Sequence, residues 1–505
     1  MPASNKLSVR VRMYRQGLGD CFLLTFQRKN KADFNLLIDC GLYQTAKDKA
    51  KTMKDVADDI KKTSNDNLDV VVLTHDHYDH TSGFTLAKDV FDTIDFKQVW
   101  VGWTEDKNHP KYKTIKDHFA IQAEGLRAAL KLEQMQSEKL KPLRKTINSL
   151  VNDFFGVSET TLGAVKDDSR TWEYILKEKN AEIHPCSPGK LMTFEGLEDE
   201  VRVYVLGPPE DMDMILMENP PADKVEAESY RHLLGMALAE SFLAAAGDET
   251  NIRLNSQSYM PFDESYKIEP KDAEAGAHDE FFKERYYGLE EKDKKDKFNW
   301  RQIDADWLMI AGELALRLDN GTNNSCLALA IELVKSKKVL VFPGDAQFGN
   351  WYSWKDLSWE ITDQNGNKTK VMTKDLLERT VLYKVGHHGS HNSTLKTHGL
   401  RMMTSPELVA MIPTNRKFAK DKQGWEMPDK TLEIDLIKHT RGRVIPADEV
   451  GEDDRKKHLR ERCEKLEENK LPKSKIESFL KQVNFDGTFS GDNPEPLYVE
   501  YTIKG

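Results

Sequence analysis

Between Leu73 and His80 the chain reads Leu-Thr-His-Asp-His-Tyr-Asp-His, directly after the apolar run Asp69–Leu73. A short apolar run bounded by polar residues reads as a buried strand. Three histidines and an aspartate therefore crowd the turn where that strand ends. Imidazole nitrogen and carboxylate oxygen are the donors that suit Zn²⁺, Mn²⁺ or Fe²⁺. Side chains two residues apart on an extended chain project the same way, so His75 and His77 can share one ion. Asp79 and His80, in the turn beyond, can reach a second. A fold that accommodates this string has to bring further donors to the same strand end.

Two later segments offer them. Phe342-Pro343-Gly344-Asp345-Ala346 places a carboxylate where an apolar strand stops, and Val385-Gly386-His387-His388-Gly389-Ser390 places two histidines after the next strand. Asp345 is suited to bridge two ions, and one histidine of the pair can complete the second site. Donors at successive strand ends describe a site at one edge of a sheet, where α/β folds collect function.

The 505 residues suit two or three domain-sized units, or one domain with large insertions. The first third alternates strand and helix patterns: strands at Leu7–Tyr14, Cys21–Phe26, Asn35–Ile38, Asp69–Leu73 and Gln98–Val101, with a helix-prone stretch at Thr45–Lys62. From Lys111 to Lys179, Leu126, Leu130, Leu140, Leu143, Ile147 and Leu150 recur at helical spacing. After the strand Val201–Leu206, the stretches Ala222–Ala246 and Glu280–Lys297 are again helical and charged. The α/β rhythm resumes with a hairpin (Cys326–Leu333 and Val339–Pro343) and a polar loop. A helical patch at Asp375–Arg379, strands Val381–Val385 and Leu408–Pro413, a helix Lys430–Thr440 and a strand Arg443–Pro446 follow. A charged helical tail occupies about 451–482, and Leu497–Ile503 reads as a last edge strand. We therefore expect one α/β domain over 1–505, with helical insertions at about 105–185 and 210–305 that are available for oligomer contacts.

The net charge of −10, from 84 acidic against 74 basic residues, excludes a protein that coats nucleic acid by bulk electrostatics, since counterion release needs a concentrated basic surface. It does not exclude a nuclease whose positive charge is supplied locally by metal. Five scattered cysteines without CxxC spacing form neither a disulfide framework nor a Cys-type zinc site; Cys21, Cys40 and Cys326 lie in apolar runs and read as buried thiols. Met1–Arg15 lacks a signal-peptide core, and no apolar run approaches the ~18–20 residues of a membrane span. A cytoplasmic protein is expected, with no membrane association.

The ordered motifs resemble the metallo-β-lactamase superfamily, and within it the soluble hydrolase domain of ComEC-type DNA-uptake proteins. They are Gly17-Leu18-Gly19-Asp20-Cys21, Ile38-Asp39-Cys40-Gly41, His75–His80, Leu206-Gly207-Pro208, Asn323-Asn324-Ser325, Gly344-Asp345-Ala346 and Lys384–Ser390. The resemblance implies an αββα sandwich with helical insertions, one or two Zn²⁺ ions (Mn²⁺ or Fe²⁺ as alternatives), and His75, His77, Asp79, His80, Asp345 and His388 as ligands. His388 is preferred over His387 because relatives often carry Gly directly after the ligand. Asp79 would also orient a water activated by the ions, His387 would protonate a leaving group, and Lys384 would hold a phosphate oxygen. Asp20, Asp39, Asn324 and Ser390 fall to substrate contact or to support of the ligands.

One departure stands out: relatives place a further histidine before the bridging aspartate, and the corresponding position here falls near Asn323-Asn324. The implied activity is phosphodiester hydrolysis of nucleic acid or a nucleotide by a metal-activated water. An ester, lactone or thioester hydrolase and a catalytically silent metal-binding scaffold are the alternatives. A basic stretch, Arg416, Lys417, Lys420 and Lys422 with Trp425, is the expected lining of a nucleic-acid groove.

Overall fold

The computed structural model describes residues 7–44, 46–136, 138–145, 147–148, 170–217, 239, 241–243, 281, 306–362, 366–449, 455–466, 469–490 and 495–505. Most of Ala222–Ala246 and Glu280–Lys297 lies outside these residues.

The strands are β1 (Ser8–Tyr14), β2 (Cys21–Gln27), β3 (Phe34–Cys40), β4 (Asn67–Leu73), β5 (Asp95–Gly102) and β6 (Glu182–Cys186), then β7 (Leu191–Met192), β8 (Val201–Gly207), β9 (Ala328–Leu333) and β10 (Lys338–Phe342). A separate hairpin is formed by β11 (Ser358–Thr362) and β12 (Lys368–Met372). The chain continues through β13 (Thr380–Lys384), β14 (Val409–Ile412), β15 (Val444–Pro446), β16 (Val483–Asp486) and β17 (Tyr498–Lys504). One sheet has the order β16-β17-β1-β2-β3-β4-β5-β6, the other β15-β14-β13-β10-β9-β8-β7. Both are mixed: β3, β4, β5 and β6 run parallel, as do β10, β13, β14 and β15.

The sequence pattern explains the layering. In β1, Val9, Val11 and Met13 point inward while Arg10 and Arg12 point away, the period-two alternation of a strand with one face on a core. β4, Asn-Leu-Asp-Val-Val-Val-Leu, is buried on both faces, as an internal parallel strand covered on both sides has to be. Between the sheets lie Val11, Phe22, Leu24, Ile38, Val72 and Trp100 against Val203, Val205, Ile331, Leu340, Phe342 and Met411. Outside the first sheet, Leu37, Val71 and Val99 pack on Met53, Val56 and Ile60 of the helix Lys49–Ser64. Outside the second, Ala330, Val341 and Tyr383 pack on Trp351, Trp354 and Leu436. Helix, sheet, sheet and helix layers follow in that order, which is the αββα sandwich expected.

Three local expectations need correction. Glu182–Cys186 is not part of a helical insertion but pairs with β5 as the edge strand of the first sheet. The polar stretch after Pro343 contains the β11–β12 hairpin, whose short polar strands carry too little apolar signal to be recognised. Leu497–Ile503 is not an edge strand: β17 lies between β1 and β16.

The helices Tyr112–Lys131 and Ile310–Asn324 build a satellite core with Ile121, Leu126, Leu314 and Leu318, and Leu18 and Tyr43 of the main domain join it. No helix among the described residues is long and apolar enough to cross a membrane. All five cysteines are buried and free.

Candidate metal centre

The turns after β4, β10 and β13 leave the C-terminal ends of parallel strands, so both sheets deliver side chains to one rim. His77 precedes the helix Tyr78–Leu86, and the turn carries His75, His77, Asp79 and His80 inward, none more than 3% exposed. Glycine makes this packing possible. A Cβ on Gly41 would stand 2.4 Å from the Asp79 carbonyl carbon, and one on Gly19 would stand 2.7 Å from the Asp79 oxygen. The backbone hydrogen bonds Asp20 N to Asp79 O and Gly41 N to Asp20 O, each 3.0 Å, lock the three loops together. The Gly17–Cys21 and Ile38–Gly41 motifs are thus the seat of the histidine turn.

Donor atoms of Asp79, His80, Asp345 and His388 lie within 4.8 Å of one another. His388 donates Nδ1–H to the Pro413 carbonyl at 2.7 Å, which leaves Nε2 facing Asp79 Oδ2 at 2.9 Å. His80 Nδ1 meets Asp39 Oδ2 at 2.8 Å, while Nε2 lies 3.1 Å from Asp345 Oδ2. Asp39 also accepts from Thr74 N at 2.9 Å and from Thr74 Oγ1 at 2.7 Å. Because that hydroxyl spends its proton on Asp39, it can only accept from His75 Nδ1, 3.0 Å away. The lone pair of His75 is therefore on Nε2, 2.9 Å from His77 Nδ1.

Lys384 is buried, and its ammonium is committed to Asp20 Oδ2, Asp345 Oδ1 at 3.2 Å and Gly344 O at 2.8 Å. His387 donates its backbone N–H to Asp345 Oδ1 at 2.8 Å, and its Nδ1 lies 3.3 Å from Gln347 Nε2. Asn324 faces away from the cluster: its Nδ2 donates to Met217 O and its Oδ1 accepts from Asn350 N. Ser390 donates to Asn392 Oδ1 at 3.0 Å. Arg416 is paired with Asp448 and Glu433, whereas Lys417 and Lys420 are exposed on the same loop.

Asp319 belongs to this rim, and the sequence pattern did not single it out. It is 6% exposed on the helix Ile310–Asn324, its Oδ2 accepts from Asn323 Nδ2 at 3.3 Å, and its Oδ1 lies 3.8 Å from His77 Nε2.

The electrostatics identify what the rim is built to hold. Asp20, Asp39, Asp79, Asp319 and Asp345 are five buried carboxylates, and Lys384 is the one buried ammonium among the described residues of the rim. Burial, reinforced by Asp79 and Asp345, pushes the Asp319 carboxyl up to about 8. Burial pushes His77 down to about 3 and His387 down to about 4, so both rings are neutral donors of lone pairs at pH 7. Burial also opposes charge on His80 and His388, but the surrounding carboxylates outweigh it and raise both. Asp79 Oδ1, Asp345 Oδ2 and His80 Nε2 are buried without a hydrogen bond. Buried carboxyl groups that draw protons onto His80 and His388, converging donor atoms and polar atoms without a hydrogen bond together fit divalent cations, which would take the place of those protons.

Residues 14–98 match the family model of the metallo-beta-lactamase superfamily. That stretch runs through the histidine turn, and the two mixed sheets with outer helices are consistent with the fold of this superfamily. No curated protein and no solved structure matches the chain, and nothing in these comparisons singles out the ComEC-type proteins.

Proposed function

We propose that this chain is a divalent-metal-dependent hydrolase of phosphodiesters, with nucleic acid or a nucleotide as its substrate class. The observation that carries the hydrolase reading is the buried group Asp79, His80, Asp345 and His388, whose donor atoms converge in a rim of five buried carboxyl groups. His80, Asp79 and His388 would hold one ion and His75 and His77 another, with Asp345 shared between them. When bound, such ions supply Lewis acidity and bring the pKa of a coordinated water toward neutrality.

The chain's own groups do the rest. Asp79 Oδ1, which has no hydrogen bond, would orient the attacking water. Lys384 holds Asp345 and Asp20 in place and favours the ionised form of each against burial. His387, held neutral by burial, would meet the leaving oxygen as a hydrogen-bond donor rather than as an imidazolium.

Charge favours a phosphodiester over an acyl ester. A rim so rich in carboxyl and imidazole donors suits two divalent ions, which would supply charge stabilisation to both oxygens of an in-line displacement. The loop beside it carries exposed Lys417 and Lys420 with partly exposed Phe418 and Trp425. Its Pro428 stands where a Cβ on Gly389 would be, at 2.5 Å. Cations and aromatic faces at the mouth of a site suit single-stranded nucleic acid.

The test is turnover of bis-p-nitrophenyl phosphate and of a single-stranded oligonucleotide with Zn²⁺ or Mn²⁺. Loss on chelation and in His80→Ala is expected. Turnover of acyl esters alone would overturn the phosphodiester assignment, and full metal loading without turnover of either class would overturn the hydrolase.

A further inference from the structure

With Asn323-Asn324 near the position where relatives carry a further histidine, one question arises about the first ion: what fixes His77 as a ligand. An imidazole offers a metal only the nitrogen that carries no proton, and the group facing the other nitrogen decides which one that is. For His80 that group is Asp39, at 2.8 Å; for His388 it is the Pro413 carbonyl; for His75 it is the Thr74 hydroxyl. For His77, among the described residues, a group facing Nε2 is Asp319 Oδ1, at 3.8 Å.

We propose that Asp319 is the positioning residue for His77, holding the proton on Nε2 so that Nδ1 is free for metal. The inference rests on the reading of His75 and His77 as a shared ligand pair. His75 Nε2 carries a lone pair, by the hydrogen-bond sequence Asp39, Thr74, His75 derived above. His77 Nδ1 stands 2.9 Å from it. With the His77 proton on Nδ1, the two nitrogens hydrogen-bond to each other and neither is available to an ion. With the proton on Nε2, two lone pairs face each other across a gap that only a cation makes favourable.

A carboxyl oxygen beside Nε2 selects the second state. At 3.8 Å the contact is longer than a hydrogen bond, but both atoms are buried and Oδ1 has no other hydrogen bond, and an N–H directed at an acceptor oxygen lowers the energy of that tautomer where a lone pair directed at it would raise it. Asp319 is itself held for this. Asn323, one turn on, takes its Oδ2, and Oδ1 is left without a hydrogen bond toward the ring. The residue is carried by the helix Ile310–Asn324, which packs on Tyr112–Lys131 in the satellite core, so this helix pair tunes the first ion.

The experiment compares wild type, Asp319→Ala, Asp319→Asn and His80→Ala, each stripped of metal and titrated with Zn²⁺ against a chelator, with Co²⁺ absorption reporting the ligand field. Wild type is expected to bind two ions. Loss of a partner behind a metal-ligating histidine typically costs 10–100-fold in affinity, and Asp319→Ala should lose that much at one ion while the other is unchanged. Asp319→Asn keeps an acceptor oxygen and should recover most of the loss. The metal-free thermal midpoint of both variants should equal or exceed that of wild type, because each removes a buried carboxyl that has little compensation without metal; a merely structural role predicts a fall.

Unchanged affinity in Asp319→Ala overturns the proposal. An equal loss in Asn and Ala overturns it in favour of a direct carboxylate ligand. Absence of metal from wild type would defeat the hydrolase reading itself, whereas an intact wild type with indifferent Asp319 variants defeats only this inference.

Discussion

Replacing Lys384 by Met separates two roles that a buried lysine beside a metal centre can have. The ammonium is 2% exposed and touches Asp20, Asp345 and the Gly344 carbonyl. Burial alone would lower its pKa, but Asp20 and Asp345 outweigh burial and raise it. A group raised in the folded state contributes its stability below its unfolded value, 10.5, so the contribution is constant across pH 6–9. Removing one partner of a buried ion pair costs about 3–5 kcal/mol, because the other charge stays behind unpaired.

The lower end applies here, since Asp345 Oδ1 also accepts the His387 backbone N–H at 2.8 Å. We expect metal-free Lys384→Met to lose about 3 kcal/mol, a factor of roughly 150 in the folded-to-unfolded ratio at 1.4 kcal/mol per decade. Equilibrium urea unfolding followed by tryptophan fluorescence measures it. Saturating Zn²⁺ should shrink the difference, since an ion replaces the lost positive charge at Asp345. A loss under about 1 kcal/mol accompanied by a raised KM would refute this reasoning and assign Lys384 to substrate instead.

Two further perturbations probe the frame of the site. Burial of Glu332 favours its neutral form, but Arg379 and Tyr204 outweigh burial and hold its pKa below the usual range. Its stabilisation is therefore complete above the unfolded value and fades as pH falls through the folded one. Urea unfolding of wild type against Glu332→Gln should show a constant gap at pH 6–8 that closes below about pH 4; a gap that widens in acid would contradict the ion pair. In Gly41→Ala the new methyl group meets the backbone of Asp79 at 2.4 Å. Overpacking of this kind costs about 1–3 kcal/mol, and the displaced turn should bind Co²⁺ at least ~10-fold more weakly, so an unaltered Co²⁺ spectrum would show that the two loops move independently.

What the sequence revealed and what it hid divide along a physical line. Strands β1 to β5 and β8 to β10 were legible because their apolar patterns report burial directly, and the histidine turn was legible because its donors are adjacent in the chain. The β11–β12 hairpin and β6 were not, since short half-exposed strands bury too little apolar surface to leave a pattern. Arg416 looked like part of a free basic stretch because a sequence displays charges without their partners, and in the fold Asp448 and Glu433 take it up.

Asp319 was hidden for the same reason in reverse. A lone acid on the helix Ile310–Asn324 has no neighbours in sequence that explain it, and only the packing of that helix brings it to His77. The satellite core that carries it also takes in Leu18, beside the Gly19 seat of the histidine turn, and Tyr43, two residues past Gly41. Helices that share side chains with the loops under the ligands cannot shift without moving those loops. The helices Tyr112–Lys131 and Ile310–Asn324 are, by their contacts, part of what sets the geometry of the rim.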